Sequence, residues 1–306
     1  MKGKRKGKSD ILVSETETIN SELEKQDKQE KKELIETLIT HIETLPLQNY
    51  TIDKSWITIS SERGGSLSSL ILDGVEIFYN NPERRNDRKQ SLREWYRMWP
   101  QAWPFSSEQN AEHWFDLQQH WFLRDVAWKK DHVVGKEVWY QFTSDENNFK
   151  KFPYNFTATQ TIELGEKWAR ISLNVQNTGK NVMKFAPWHH TYYKVSPDQK
   201  ANIKLSKNMW VTEEMILKWI SWTETIKILN PWSCQIYIPW IGLLQLNFDP
   251  KFKDLRLRSE KEKWFVCIEP VVCHPRERNE SAINIKPKEA IKIWFSITLL
   301  SKDKNS

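Results

Sequence analysis

From residue 51 onward the chain is a succession of short runs rich in β-branched and aromatic residues, each closed by a turn signal, and this rhythm is what most restricts its fold. "WITIS", "SLSSLIL" and "VEIFY" are divided by Gly64-Gly65 and Asp73-Gly74, both read as two-residue hairpin signals. "NFTATQTIEL", "ARISLNVQN" and "MKFAPW" follow, divided by "GEK" and "NTGK", and the chain closes on "AINIKP", "KEA" and "IKIWFSITLL". Strands about every ten residues, with no long helical pattern between them, predict an all-β antiparallel sandwich or barrel over residues 46–306. Residues 81–130 lack clean alternation and carry many ionisable side chains, so they read as long loops, the segments in which sites are built on a β scaffold.

Residues 1–45 are different in kind: rich in Lys, Glu, Ser and Thr, without Trp, Phe or Tyr. The first twenty are expected to be disordered. Ser21 and Glu24 read as a capping box, and Leu34, Leu38, Ile42 and Leu45 recur at helical spacing up to Pro46, which predicts one helix over 22–44. Five positive charges fall in the first eight residues, but acidic residues outweigh them by residue 45, so the tail carries −1 and the β region +7 of the net charge of +6.

No apolar run approaches the roughly 20 residues of a membrane span, and no apolar segment follows the basic start. A cytoplasmic protein without membrane contact is expected. Cys234, Cys267 and Cys273 form no CxxC pair, which argues against a disulfide framework or a zinc site. The basic residues are not interleaved with any nucleic-acid-binding module.

No Gly-rich phosphate loop, HExxH helix or nucleophile elbow is present. The chemistry-bearing residues gather in three places. "LQQHWFLRDVAW" holds His120, Arg124 and Asp125. "FAPWHHTYYKV" holds His189 and His190, which on a strand point to opposite faces, so only one can face a pocket. "WFVCIEPVVCHP" holds Glu269 after an apolar run, a setting that raises the pKa of a general base; a solvated carboxylate at a strand end is the alternative.

Taken in order, these motifs resemble the aldose 1-epimerase (galactose mutarotase-like) family. "GGSLSSLILDGVEIFY" is similar to that family's opening hairpins, "PQAWPFSS" with "LQQHWFLRD" to its proline-rich loop and "LPQHGFARD" motif, "FPYNFTATQTIELGEKWARISLNVQNTGKNVMKFAPWHH" to its central hairpins, and "FVCIEP" with "IKPKEAIKIWFSI" to its carboxylate strand and last strand. The resemblance covers about residues 52–300. It implies a large antiparallel β-supersandwich binding a small-molecule sugar, and an isomerase that interconverts α and β anomers of a hexose or hexose 6-phosphate without cofactor or metal. Carried over by motif position, it implies Glu269 as base, His190 as acid and His120 as a histidine that holds the sugar and polarises its ring. Arg97, Arg124 and Gln119 are implied as sugar ligands, and His189 as packing. The aspartate that many members use on the sugar is not identifiable in 205–250. The basic stretch "PERRNDRKQSLREWYR" would suit a phosphorylated sugar, or is a solvated loop.

Trp occurs 17 times and Gly only 9 times, whereas ordinary glycine use is about 7%. Trp121, Trp103 and Trp188 stand where the family's motifs carry Gly, and Trp114, Trp168 and Trp264 fall where a small or turn residue is natural. Trp cannot supply the backbone freedom of Gly, and several such exchanges at about 1–3 kcal/mol each would consume a typical stability of about 5–15 kcal/mol. One reading is that UGA codons decoded as Gly by the source organism are written here as Trp; the other is a Trp-rich sugar-binding surface. Trp128, Trp139 and Trp294 lie within strand-like runs and read as true tryptophans. A non-catalytic carbohydrate-binding sandwich is the competing function. Glycoside hydrolysis lacks a convincing second carboxylate.

Overall fold

The computed structural model describes residues 48–79, 96–98, 123–206, 211–221, 225–229, 232–272 and 282–304. The expected N-terminal tail and helix, His120, Gln119, Trp103, Trp114, Trp121 and most of 81–130 lie outside them.

Among the described residues the strands, numbered in chain order, form four antiparallel sheets. β1 (Gln48–Ile52), β2 (Ser55–Ser60), β3 (Ser66–Leu72) and β4 (Val75–Glu76) form a meander. A six-stranded sheet contains β5 (Tyr96–Met98), β11 (Trp188–His190), β12 (Tyr192–Lys194), β14 (Ile226–Leu229), β17 (Asp254–Ser259) and β18 (Phe265–Val271). An eight-stranded sheet contains β6 (Lys129–Val134), β7 (Glu137–Thr143), β8 (Phe156–Leu164), β9 (Trp168–Asn177), β13 (Lys204–Leu205), β15 (Ser233–Ile238), β16 (Gly242–Phe248) and β20 (Ala290–Lys302). β10 (Met183–Phe185) pairs with β19 (Ile283–Ile285). Two short helices, α1 (Glu146–Phe149) and α2 (Glu213–Ile220), are N-capped by Asp145 and Thr212.

Period-2 alternation sets which face enters the core. In β16 Leu244, Leu246 and Phe248 are buried while Leu243, Gln245 and Asn247 are half-buried, and β20 sends Ile293, Phe295, Ile297 and Leu299 inward. β3 and β18 are buried along their whole length, covered on both faces. The all-β expectation holds. No helix among the described residues is long and apolar enough to cross a membrane.

The two glycine turns differ. Asp73 and Gly74 both have positive φ (48° and 82°) and join β3 to β4 as a two-residue hairpin. Gly64-Gly65 instead follows a 3-10 turn (Ser61–Arg63), so five residues separate β2 from β3. Gly64 has φ 67°, and a Cβ there would lie 2.3 Å from the Leu123 carbonyl oxygen; its N–H donates to Val126 O at 2.9 Å. The close approach seats the 3-10 turn Leu123–Asp125, which carries Arg124, against the meander.

Candidate active site

The six-stranded sheet has one face in the main core, through Ile226, Ile228, Leu255, Leu257, Val266 and Ile268. Its other face carries the ionisable side chains. Directly opposed residues share a face in an antiparallel pair, so the pairings Arg256↔Glu269, Lys227↔Arg256 and Tyr192↔Cys267 place these side chains together. Trp188, Tyr192, Phe265, Cys267 and Val271 form a small apolar cluster distinct from the main core.

Glu269 is in the interior of β18, not at a strand end. The next residue, Pro270, has no N–H for a ladder, yet the register along that edge is continuous across it: Tyr192 faces Cys267 on β12 and Trp188 faces Val271 on β11, and between them the Ile268 N–H donates to Thr191 O at 3.2 Å. That register sets His190 opposite Glu269, with the two side chains on the same face. His190 Nε2 lies 3.3 Å from Glu269 Oε1, and both residues are 3% exposed. That approach lacks the alignment of a hydrogen bond, so Oε1 has none, whereas Oε2 accepts one from the Trp188 indole at 2.7 Å. Burial pushes the Glu269 carboxyl up to about 8, against the opposing pull of the Trp188 hydrogen bond and of the Arg258 and Arg256 charges.

The two adjacent histidines do point to opposite faces. His189 is fully buried, its ring 5.5 Å from Phe252 and 5.2 Å from Phe295 by centroids, which is packing. His190 stacks on Tyr192 at 4.3 Å with rings 5° from parallel, and the Tyr192 hydroxyl is 3.2 Å from Nε2. Tyr192 was not anticipated; its signal was the i+2 spacing from His190 on an extended segment, which returns a side chain to the same face. Buried Asp254, also unanticipated, is bound by Arg256 at 3.0 Å and Lys227 at 3.3 Å.

Of the expected sugar ligands, Arg97 pairs by backbone with His189, one residue from the position of His190. Arg124 sits in the Leu123–Asp125 turn, which packs against β5. The sequence gives no metal cluster by spacing, yet ligand atoms of His190, Cys267 and Glu269 lie within 4.8 Å of one another, close enough to share one cation, the one such group among the described residues.

The fold has counterparts among known proteins. Residues 103–227 match the model of the aldose 1-epimerase family. The chain resembles the aldose 1-epimerases. Its fold is that of the galactose mutarotase-like proteins. The Slr1438 protein of Synechocystis sp. PCC 6803 superposes with a TM-score of 0.70 at 17% identity, covering 83% of this chain and 96% of that one. A galactose mutarotase-like protein from Lactobacillus casei gives 0.63 at 14% identity, covering 83% and 99%, and a galactose mutarotase related enzyme from Lactobacillus acidophilus gives 0.62 at 13%, covering 84% and 99%. No curated protein matches the chain.

Proposed function

We propose that the protein is an aldose 1-epimerase that interconverts the α and β anomers of a hexose or hexose 6-phosphate, with Glu269 as base and His190 as acid. The observation that carries this reading is the buried Glu269 carboxylate, one oxygen lacking a hydrogen bond and 3.3 Å from His190 Nε2. The two groups are side by side. A hemiacetal tolerates that arrangement, because the anomeric hydroxyl and the ring oxygen are bonded to the same carbon.

In the forward direction the anomeric hydroxyl donates to Glu269 Oε1 and gives up its proton, His190 Nε2–H delivers a proton to the ring oxygen, and the C1–ring oxygen bond breaks to leave the open-chain aldehyde. Rotation about C1–C2 presents the other carbonyl face. The ring hydroxyl then attacks C1 while His190 recovers its proton and Glu269 returns the other to the new anomeric oxygen. Atoms and charge balance within the pair and the sugar. A carboxyl held near 8 suits this, since a base is most effective with a pKa near the working pH. His120, Gln119, Arg97 and Arg124 are assigned to holding the sugar. Arg256, Arg258 and Lys227 on the same sheet face favour a phosphorylated substrate.

One observation favours a non-catalytic carbohydrate-binding role: exposed Trp240 and Trp264 line a cavity of about 360 Å³ with Glu76 and Lys194, an arrangement of platforms and polar groups suited to a sugar. Two-dimensional exchange NMR of D-glucose, D-galactose and D-glucose 6-phosphate, with the protein as its source makes it and with Glu269→Gln, separates the two. Loss of a general base slows anomerisation by about 10²–10⁴-fold. Equal rates for the two proteins remove Glu269 from the reaction, and no acceleration by either leaves only binding.

A further inference from the structure

We propose that the Trp188 indole occupies the place of the sugar on the Glu269–His190 pair, and that the working form of the protein carries glycine at position 188. This rests on the epimerase reading above and concerns how substrate reaches that same pair. Trp188 gives Glu269 Oε2 an N–H bond of 2.7 Å, the kind of bond a sugar hydroxyl brings to a base. The indole is 6% exposed and Glu269 and His190 are each 3% exposed, so the pair is closed to a hexose while the indole stays. An indole is comparable in size to a pyranose ring, and it belongs to the small cluster on the site face, apart from the main core. Its removal opens space at the catalytic pair without breaching the packing that holds the sheets together.

A second tryptophan points the same way from another part of the fold. Trp240 has φ 70° in the turn Ile238-Pro239-Trp240-Ile241, closed by the Ile241 N–H to Ile238 O bond at 3.1 Å. Proline followed by a left-handed residue is the pattern of a type II turn, whose third position calls for glycine. An indole there is 53% exposed and sits in a conformation that bulky residues rarely adopt. Two tryptophans, one filling a site and one in a glycine conformation, in a chain with 17 Trp and 9 Gly are accounted for together by UGA codons decoded as glycine.

The test compares the chain as written with Trp188→Gly by exchange NMR on D-glucose, D-galactose and D-glucose 6-phosphate, with saturation-transfer NMR reporting sugar binding and circular dichroism reporting the fold. Trp188→Gly is expected to bind sugar where the Trp chain does not, and to anomerise it at least about 10²-fold faster. Binding without anomerisation upholds the occlusion and removes the epimerase reading. A folded Trp188→Gly protein that neither binds nor anomerises, or a Trp chain that works equally well, overturns it. Should Trp188→Gly not fold, mass spectrometry of the protein from its source decides: the tryptic peptide Phe185–Lys194 bearing glycine supports the inference, and the same peptide bearing tryptophan refutes it.

Discussion

Glu269→Gln should change how stability varies with pH, and the size of the change follows from where the carboxyl sits. In the unfolded chain the group titrates near 4.5; in the fold, burial moves it to about 8. Between these values the unfolded chain is ionised while the folded protein keeps the proton, so folding takes up a proton and stability falls as pH rises, by about 1.4 kcal/mol per pH step. Stability contributed by the neutral acid is thus fully present below 4.5 and lost by about 8. The whole window amounts to about 5 kcal/mol as a ceiling, a large part of a typical 5–15 kcal/mol. Glutamine keeps an acceptor for the Trp188 indole and cannot ionise, so its curve lacks this slope. Urea denaturation of both proteins from pH 4 to 9, followed by tryptophan fluorescence, reads the difference directly. It should shift in favour of the variant by several kcal/mol between pH 4.5 and 8 and be level on either side. Parallel curves within about 0.5 kcal/mol would refute the reasoning, because a carboxylate that is ionised throughout is neither desolvated nor poised as a base.

His190→Asn should lower anomerisation by about 10²–10⁴-fold with the fold retained by circular dichroism, and a smaller loss would remove the imidazole as the acid. Trp240→Gly should be more stable than Trp240→Ala by about 1 kcal/mol in urea, reversing the usual preference for alanine, because both lose the indole and only glycine tolerates φ 70° freely. Gly64→Ala should destabilise the protein by more than about 1 kcal/mol, since its Cβ would meet the Leu123 carbonyl at 2.3 Å, and should raise KM through Arg124 if that residue holds the sugar; steady-state kinetics and denaturation check both halves. Arg258→Ala should raise KM for D-glucose 6-phosphate by several-fold and leave that for D-glucose unchanged, and equal effects on both would exclude a phosphate contact.

The strands were legible because alternation is a local signal: "IKIWFSITLL" states its inward face residue by residue, and β20 follows it. The Asp73-Gly74 hairpin was legible for the same reason. Gly64-Gly65 was misread because Gly64 answers a close approach of Leu123 and Arg124, some sixty residues away, which no local pattern reports. The opposite faces of His189 and His190 follow from strand geometry alone, but the contact of His190 with Glu269 depends on the register between strands distant in sequence, which no local pattern reports. Asp254 was overlooked because its role comes from a cross-strand partner, Lys227 on β14, together with Arg256 two residues on along its own strand, rather than from a motif.

The tryptophans show what a sequence read literally can hide. Trp128, Trp139 and Trp294 have the settings of real aromatic residues: Trp128 is buried with its N–H on Leu123 O, Trp139 stacks on His132 at 4.6 Å, and Trp294 lies under Arg170 at 4.3 Å. Trp240 takes a glycine dihedral, Trp168 crowds Gly165, where a Cβ would lie 2.2 Å from its indole nitrogen, and Trp188 closes over the Glu269–His190 pair. One residue type thus divides into a group that gains partners in the fold and a group whose positions ask for a smaller side chain. A surface adapted for sugar stacking would gather its rings on one face around one cavity. Trp240 does share one cavity with Trp264, but the second group as a whole is spread over a hairpin turn, the start of a strand in the eight-stranded sheet and the interior of the six-stranded one, and positions with so little in common spatially share most simply a codon.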